Sequence, residues 1–172
     1  MTHLIKSRKI SSSSGPEPSL PTKLFASGLY TGYVPAASGT LGSAIAVAFY
    51  FIPGFESPLI LGSVILLVFG LGIITSSNME KRYGHDPAEV TIDEVVGMWI
   101  TLIFLPKIIF VVLAAFLVFR FFDIIKPFPA RKFDTMHGGF GIMMDDVVSG
   151  IYANITMQFL LLIPFIKELL LR

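Results

Sequence analysis

Long stretches without a charged residue constrain this chain more than any other feature. Residues 24–55, 57–79 and 147–166 carry no charge, and 95–119 is interrupted only at Pro106-Lys107. Charged residues make up 15% of the chain and hydrophobic residues 53%, whereas an average soluble domain has about 25% charged residues. The sequence therefore indicates an integral membrane protein.

The lengths of the apolar segments predict an unusual membrane protein. A helix needs about 20 residues to cross the hydrocarbon layer. Of the helices predicted within these segments, only the one at 147–166, and nearly the one at 59–75, is that long. The others could be half-spanning hairpins, parts of a bundle in one leaflet, or spans lengthened at their ends. We predict an all-α, integral membrane helical bundle with short hairpin helices and one or more full transmembrane spans. The predicted helices cover 41–52, 59–75, 95–105, 108–119 and 147–166.

The chain divides into an N-terminal tail and one domain. Residues 1–23 are basic and rich in Ser and Pro, which predicts a disordered tail. Residues 24–172 are predicted to form a single membrane-embedded helical domain. If 41–52 pairs with 59–75, and 95–105 with 108–119, the tail and the loops at 76–94 and 120–146 lie on one side.

Basic residues give that side an orientation. It would hold 10 of the 13 basic residues of the chain, and by the positive-inside rule it faces the cytoplasm. These residues are Lys6, Arg8, Lys9, Lys23, Lys81, Arg82, Arg120, Lys126, Arg131 and Lys132.

Two carboxylate pairs begin similar apolar segments. "TIDEVVGMW" at 91–99 and "MMDDVVSGI" at 143–151 each place two acids before Val-Val and a glycine. Glycines at 97 and 150 would let two such helices approach closely. Either Asp taken singly is explained by helix capping, but four neighbouring acids repel unless a cation lies between them. Oxygen ligands favour Mg²⁺, Mn²⁺ or Ca²⁺. The four acids are Asp93, Glu94, Asp145 and Asp146.

Cationic residues lie between the two acid pairs in "RFFDIIKPFPARKFD", 120–134. On a helix Arg120, Asp123 and Lys126 share one face, so an internal salt bridge is as good an explanation as catalysis for Asp123. The surplus of cations, which includes Arg131, suits phosphate binding. The glycine-rich turn at Gly138-Gly139 could offer backbone N–H groups to an anion.

These motifs together resemble the phosphatidylglycerophosphatase A family. The resemblance rests on "TIDEVVGMWI", "FRFFDIIKPFPARKFD", "HGGFGIMMDDVVSG" and "SGTLGS" at 38–43, and it covers most of residues 25–152. It implies a bacterial membrane enzyme, with Mg²⁺ as cofactor. Such an enzyme would hydrolyse phosphatidylglycerophosphate to phosphatidylglycerol and inorganic phosphate in phospholipid biosynthesis. The enzyme would lie in the cytoplasmic (inner) membrane with its active site facing the cytoplasm.

The motifs and the resemblance predict the same site. Asp93, Glu94, Asp145 and Asp146 are the predicted metal ligands and catalytic acids, with Asp123 as a further catalytic candidate. Phosphate would be bound by Arg120, Lys126, Arg131, Gly138 and Gly139. Attack by water and a covalent aspartyl-phosphate are both open.

The composition excludes some other functions and leaves others open. Net charge of +1 gives no basic field for nucleic acid, and the absence of cysteine excludes disulfides and a cysteine nucleophile. A divalent-cation transporter or channel could use the same carboxylates, and a scaffold would use them only as caps. We expect Glu80 to lie in a solvated loop and His137 to be an ordinary turn histidine. The oligomeric state is left open.

Overall fold

The structure, a computed structural model, describes residues 15–171, and over that part of the chain all regular secondary structure is helical. Eight α-helices are joined by short loops, with one 3₁₀ turn at Thr31–Tyr33. The helices are α1 (Leu20–Ala26), α2 (Ser38–Tyr50), α3 (Pro58–Tyr83), α4 (Ile92–Leu102), α5 (Ile109–Ile125), α6 (Ala130–Asp134), α7 (Gly139–Leu162) and α8 (Pro164–Leu170).

Prolines set the helix boundaries where the sequence predicts them. α4 ends at Leu102 and α5 begins at Ile109, on either side of Pro106. α5 ends at Ile125 because Pro127 disfavours a helical conformation at the residue before it, and Lys126 takes a left-handed conformation (φ 48°) as the cap. The predicted breaks are confirmed.

α4 and α7 cross at two glycines, and this crossing forms the centre of the fold. A Cβ at Gly150 would overlap the carbonyl oxygen of Gly97, and one at Gly97 would lie 2.7 Å from the carbonyl oxygen of Asp146. The Thr101 hydroxyl donates to the Gly97 carbonyl at 2.9 Å and points towards that of Gly150 at 3.4 Å. The predicted close approach of these helices is confirmed.

The glycine crossing predicts a sharp effect of one methyl group. We expect Gly97→Ala to lower stability by about 1–3 kcal/mol, because the added methyl meets the Asp146 carbonyl and the Phe119 ring. Gly70→Ala is the control, since a Cβ there meets nothing within 4 Å and alanine favours a helix. Thermal unfolding in detergent measures both. Equal unfolding midpoints for the two variants would contradict the crossing.

The predicted hairpin of α2 with α3 is wrong. α2 packs chiefly against α4, where the Trp99 indole N–H donates to the Ala46 carbonyl at 2.9 Å and the Tyr50 hydroxyl donates to the Leu105 carbonyl at 3.2 Å. α3 packs instead against α1, α4 and α7. Contacts between residues some fifty positions apart thus outweigh the pairing of neighbours in sequence.

Within residues 15–171, one helix is long and apolar enough to cross a membrane, namely α3 with 26 residues. The predicted span at 147–166 is not a straight helix, since the chain bends by 105° between α7 and α8. Pro164 follows the bend and explains it, because Ile163 is held in an extended conformation (φ −81°, ψ 115°). Taken together, the two bent helices also have the length and composition of a span.

Apolar side chains cover much of the outer surface. Leu66 on α3, Leu117 on α5 and Leu162 on α7 are 74%, 68% and 74% exposed. A water-soluble monomer rarely exposes continuous apolar surface on several helices. The fold is therefore compatible with the membrane location that the sequence predicts.

Charged residues concentrate at the two ends of α3. At its start, the Lys107 ammonium lies 2.8 Å from Glu56. At its end, Arg82 lies 2.6 Å from Glu17. A helix of this length separates its ends by roughly 40 Å, so the polar groups form two distinct layers.

The N-terminal region is only partly as predicted. Residues 1–14 of the predicted tail, and residue 172, lie outside the described residues. Residues 20–23 belong to α1 rather than to a disordered tail, and Lys23 pairs with Glu17. The helix forms because Ser19 caps it, accepting a hydrogen bond from the backbone N–H of Thr22.

Candidate functional site

Three carboxylates from two helices, α4 and α7, lie close together. Asp93 and Glu94 lie in the first turn of α4, and Asp146 lies in the second turn of α7. One oxygen from each lies within 4.8 Å of the others. The three residues are only 4%, 6% and 2% exposed. We call Asp93, Glu94 and Asp146 the carboxylate trio.

Two carboxylate oxygens of this trio are conspicuous. Glu94 Oε2 and Asp146 Oδ2 are buried and make no hydrogen bond with any described residue. Buried polar atoms almost always have a partner, and buried like charges repel each other. A small cation between them would bind the unpaired oxygens and offset the repulsion. Oxygen donors of this kind suit Mg²⁺. The residues present therefore fit the metal that the sequence predicts.

α2 closes the site from the side, and Gly39 permits its approach. A Cβ at Gly39 would overlap Glu94 Oε1 and would lie 3.1 Å from the Arg120 guanidinium nitrogens. The backbone of α2 therefore lies against both the carboxylate trio and its nearest arginine. This explains in physical terms the first glycine of the "SGTLGS" motif.

Arg120, paired with Asp123, is the first of two cations beside the trio. The Arg120 guanidinium lies 2.7 Å from the Asp123 carboxylate, one turn along α5, and 3.4 Å from the Ser43 hydroxyl of α2. Both side chains of the ion pair are largely buried. The predicted salt bridge is thus present for Arg120, so Asp123 orients that arginine.

Lys126 forms the second cationic group. Its ammonium bonds the carboxylates of both Asp134 and Asp145, and the side chain is 20% exposed. Burial alone would lower the pKa of Lys126, but the surrounding carboxylates, Asp145 foremost, raise it above its ordinary value. Lys126 is therefore a fixed positive charge at the edge of the site. Among the described residues it bonds Asp134 and Asp145 rather than Asp123.

Asp145 differs from its neighbour Asp146. One of its oxygens accepts the Lys126 ammonium and the other accepts the backbone N–H of Asp146 at 2.9 Å. The structure thus gathers three of the four predicted metal ligands, while the fourth is engaged with a lysine. Asp145 also lies six residues into α7, so it does not cap that helix.

The glycines predicted to bind phosphate have other partners. The backbone N–H of Gly138 donates to Glu80 at 2.6 Å, and that of Gly139 donates to the Ser77 hydroxyl at 2.8 Å. Both N–H groups thus join α7 to α3 in this structure, and the phosphate role of the two glycines stays a prediction. Arg131 is exposed on α6 and makes no ion pair with a described residue; its phosphate role stays a prediction.

Sequence reasoning missed a second cluster, formed by Glu80, His85 and His137. Glu80 belongs to α3, is 13% exposed and faces both histidines, so it does not lie in a solvated loop. Its carboxylate raises the pKa of the His85 imidazole. A repeat in the sequence could have revealed the cluster, since each histidine stands eight residues before the first acid of a pair, at 93 and at 145.

Comparison with known proteins supplies a family. The sequence profile of phosphatidylglycerophosphatase A matches residues 24–161. Phosphatidylglycerophosphatase A of Escherichia coli is 37% identical over 143 residues, which are 81% of this chain and 83% of that protein. The protein of the same name from Haemophilus influenzae is 40% identical over 144 residues, 79% of this chain and 86% of its own length.

A third relative has a different name. A Bacteroides thetaiotaomicron protein, provisionally named a phosphatidylinositol-3-phosphatase, is 38% identical over 146 residues, which cover 80% of this chain and 92% of that protein. No solved structure matches the chain. All three names describe removal of a phosphate from a phospholipid headgroup.

Proposed function

The chain belongs to the phosphatidylglycerophosphatase A family and is a phosphatase, and on that premise we propose its substrate, its cofactor and its place in the cell. The substrate is phosphatidylglycerophosphate, and the products are phosphatidylglycerol and inorganic phosphate, a step of phospholipid biosynthesis. The cofactor is Mg²⁺. The enzyme lies in the bacterial inner membrane with its active site towards the cytoplasm.

One observation carries this proposal. The carboxylate trio is buried, two of its oxygens lack any described hydrogen-bond partner, and Arg120 and Lys126 stand beside it. A cluster of anions next to fixed cations suits a metal ion and a phosphate together. Asp93, Glu94 and Asp146 would hold the Mg²⁺. When bound, the ion supplies Lewis-acid polarisation of the phosphoryl group and acidifies water.

The protein side chains have separate tasks in this account. Arg120 would contact the phosphate, because Asp123 and Ser43 fix its guanidinium beside Glu94. Lys126 would neutralise charge on the transferred phosphoryl group as a fixed ammonium. Asp145 orients Lys126, since both of its oxygens are already engaged. The substrate phosphate would enter from the polar layer at the end of α3 that carries Arg82.

The layout also supports a substrate that stays in the membrane. The outer apolar surface of α3, α5 and α7 would contact acyl chains. α4 follows the end of α3, and Ser77 and Glu80 near that end bond the start of α7. The two helix starts that carry the trio therefore lie towards the end of α3 that holds Arg82. Basic residues predicted to face the cytoplasm concentrate at that end. A phospholipid could therefore present its headgroup phosphate without leaving the leaflet.

A comparison of substrates in detergent tests the proposal. We expect phosphate release from phosphatidylglycerophosphate to exceed release from glycerol 3-phosphate by at least about tenfold, because binding energy from the lipid also serves catalysis. The control is Asp146→Asn protein prepared in the same way, which excludes a contaminating phosphatase. Equal rates on the two substrates would contradict a lipid phosphatase of this kind.

The same assay decides between two lipid headgroups. Phosphatidylinositol 3-phosphate is the competing substrate, because a relative of similar identity carries a name for that activity. We expect phosphatidylglycerophosphate to be the faster of the two, since two other relatives are named for it. Faster hydrolysis of the inositol lipid would reassign the substrate and leave the site unchanged.

A further inference from the structure

Glu80, His85 and His137 bring three ligand atoms together outside the carboxylate trio. Glu80 Oε1 lies 2.8 Å from the Nδ1 atom of His85 and 3.4 Å from that of His137. The two imidazole rings are 4.5 Å apart. Two ligands that are each about 2.1 Å from one tetrahedral ion lie about 3.4 Å from one another. The three ligand atoms lie within 4.8 Å of one another, a separation that a single ion could bridge.

The hydrogen bonds of His85 indicate a cation at this place. Its Nε2 lies 3.0 Å from the backbone carbonyl oxygen of Asp134, which can only accept, so Nε2 carries a proton. In the neutral ring Nδ1 then holds a lone pair, and it faces the carboxylate of Glu80. Two acceptors at 2.8 Å require a positive charge between them, either a proton or a metal ion.

His137 supplies a third potential ligand atom. A proton shared by Glu80 and His85 would occupy only those two groups, whereas a metal ion would also use the Nδ1 atom of His137, which lies 3.4 Å from the same carboxylate oxygen. The outer contacts are also those of a metal site, since ligating histidines usually donate their other N–H to a carbonyl or carboxylate. Glu80 Oε2 is held in the same way by the backbone N–H of Gly138 at 2.6 Å.

We propose that Glu80, His85 and His137 form a second metal site, which binds a divalent transition cation of the zinc type. Imidazole nitrogen favours Zn²⁺, Co²⁺ and Ni²⁺ over Mg²⁺, whereas the all-oxygen trio favours Mg²⁺. Three protein ligands leave a position for water, and His137 is 83% exposed, so the ion is open to solvent. This inference does not depend on the identity of the lipid substrate.

The ion would join three segments that lead to the carboxylate trio. Glu80 lies near the end of α3, His85 follows it in the loop before α4, and His137 precedes α7. Because α4 and α7 carry the trio, an ion at this place fixes the starts of both helices relative to α3. The matching eight-residue spacing from each histidine to its acid pair fits this arrangement.

Cobalt binding tests the second site directly. The full chain, without a polyhistidine tag, is titrated with Co²⁺ in detergent while excess Mg²⁺ occupies the carboxylate trio. We expect one Co²⁺ per chain, with the visible absorption of a cobalt ion bound by nitrogen. Because loss of outer-shell partners alone weakens binding about 10–100-fold, His137→Ala should weaken it by at least about 100-fold. Glu80→Gln should have a similar effect.

Two controls locate the ion. His3→Ala removes the remaining histidine of the chain and should leave cobalt binding unchanged, as should Asp146→Asn. His137 is exposed, so its replacement should not disturb folding, and circular dichroism checks this. Absence of bound Co²⁺ in wild-type protein would overturn the proposal and would leave a protonated His85 as the bridge. Binding that survives in His137→Ala, or is lost only in Asp146→Asn, would also overturn it.

Discussion

Asp146→Asn is expected to lower the rate of phosphate release by about 10²–10³-fold, the usual effect of removing one electrostatic contact to the reacting group. Asparagine keeps the shape of the side chain but replaces one anionic oxygen with an N–H donor, which repels a metal ion. Asp146 is 2% exposed, so no solvent can substitute for the lost oxygen. Phosphate release from phosphatidylglycerophosphate in detergent measures the effect.

Thermal unfolding of the same variant separates lost chemistry from lost folding. In EDTA the variant should unfold at a higher temperature than wild type, because one of three crowded negative charges is gone. Added Mg²⁺ should raise the midpoint of wild type by binding the folded state, and should raise that of the variant much less. Glu168→Gln, on the exposed helix α8, is the control and should behave as wild type. An active Asp146→Asn enzyme would exclude Asp146 from the site.

Lys126→Met is expected to have the largest effect on stability. It removes the cation that bonds both Asp145 and Asp134, and leaving a buried charge without its partner costs about 3–5 kcal/mol. Activity should fall by at least about 10²-fold, because the phosphate also loses a fixed positive charge. Chemical denaturation measures the first effect and phosphate release the second.

Two companion variants make the result for Lys126 specific. Lys126→Arg keeps the charge at the same left-handed backbone position, so it should retain most of the stability. The double variant Lys126→Met/Asp145→Asn should recover part of the stability, because Asp145 no longer leaves an unpaired buried charge. It should not recover activity, because the contact between the ammonium and the phosphate is still missing. If Lys126→Met were as active as Lys126→Arg, phosphate binding by Lys126 would be wrong.

Much of the site could be predicted from local sequence, because its main elements are helix starts with a repeated pattern. Val-Val and glycine after each acid pair predicted that α4 and α7 lie side by side, and the Gly97–Gly150 crossing confirms it. Proline positions predicted the ends of α4 and α5. These features depend on a few neighbouring residues, whose backbone preferences act wherever they occur.

The features that local sequence could not predict depend on contacts between distant segments. α2 packs on α4 through Trp99 and Ala46, so it does not form a hairpin with α3. Asp145 turned towards Lys126, while Gly138 and Gly139 turned towards Glu80 and Ser77. No periodicity within a segment records which distant partner a polar group will meet. The equal spacing of His85 and His137 before the acid pairs was a usable signal.

The most direct test of the central claim is the metal dependence of wild-type enzyme acting on phosphatidylglycerophosphate. Phosphate release would be followed in detergent with Mg²⁺, after removal of metal by EDTA, and after Mg²⁺ is restored in excess. We predict that release stops with EDTA and returns with Mg²⁺, because the buried carboxylates need the ion to bind an anionic phosphate. Release that continues unchanged in EDTA would contradict a magnesium site at Asp93, Glu94 and Asp146.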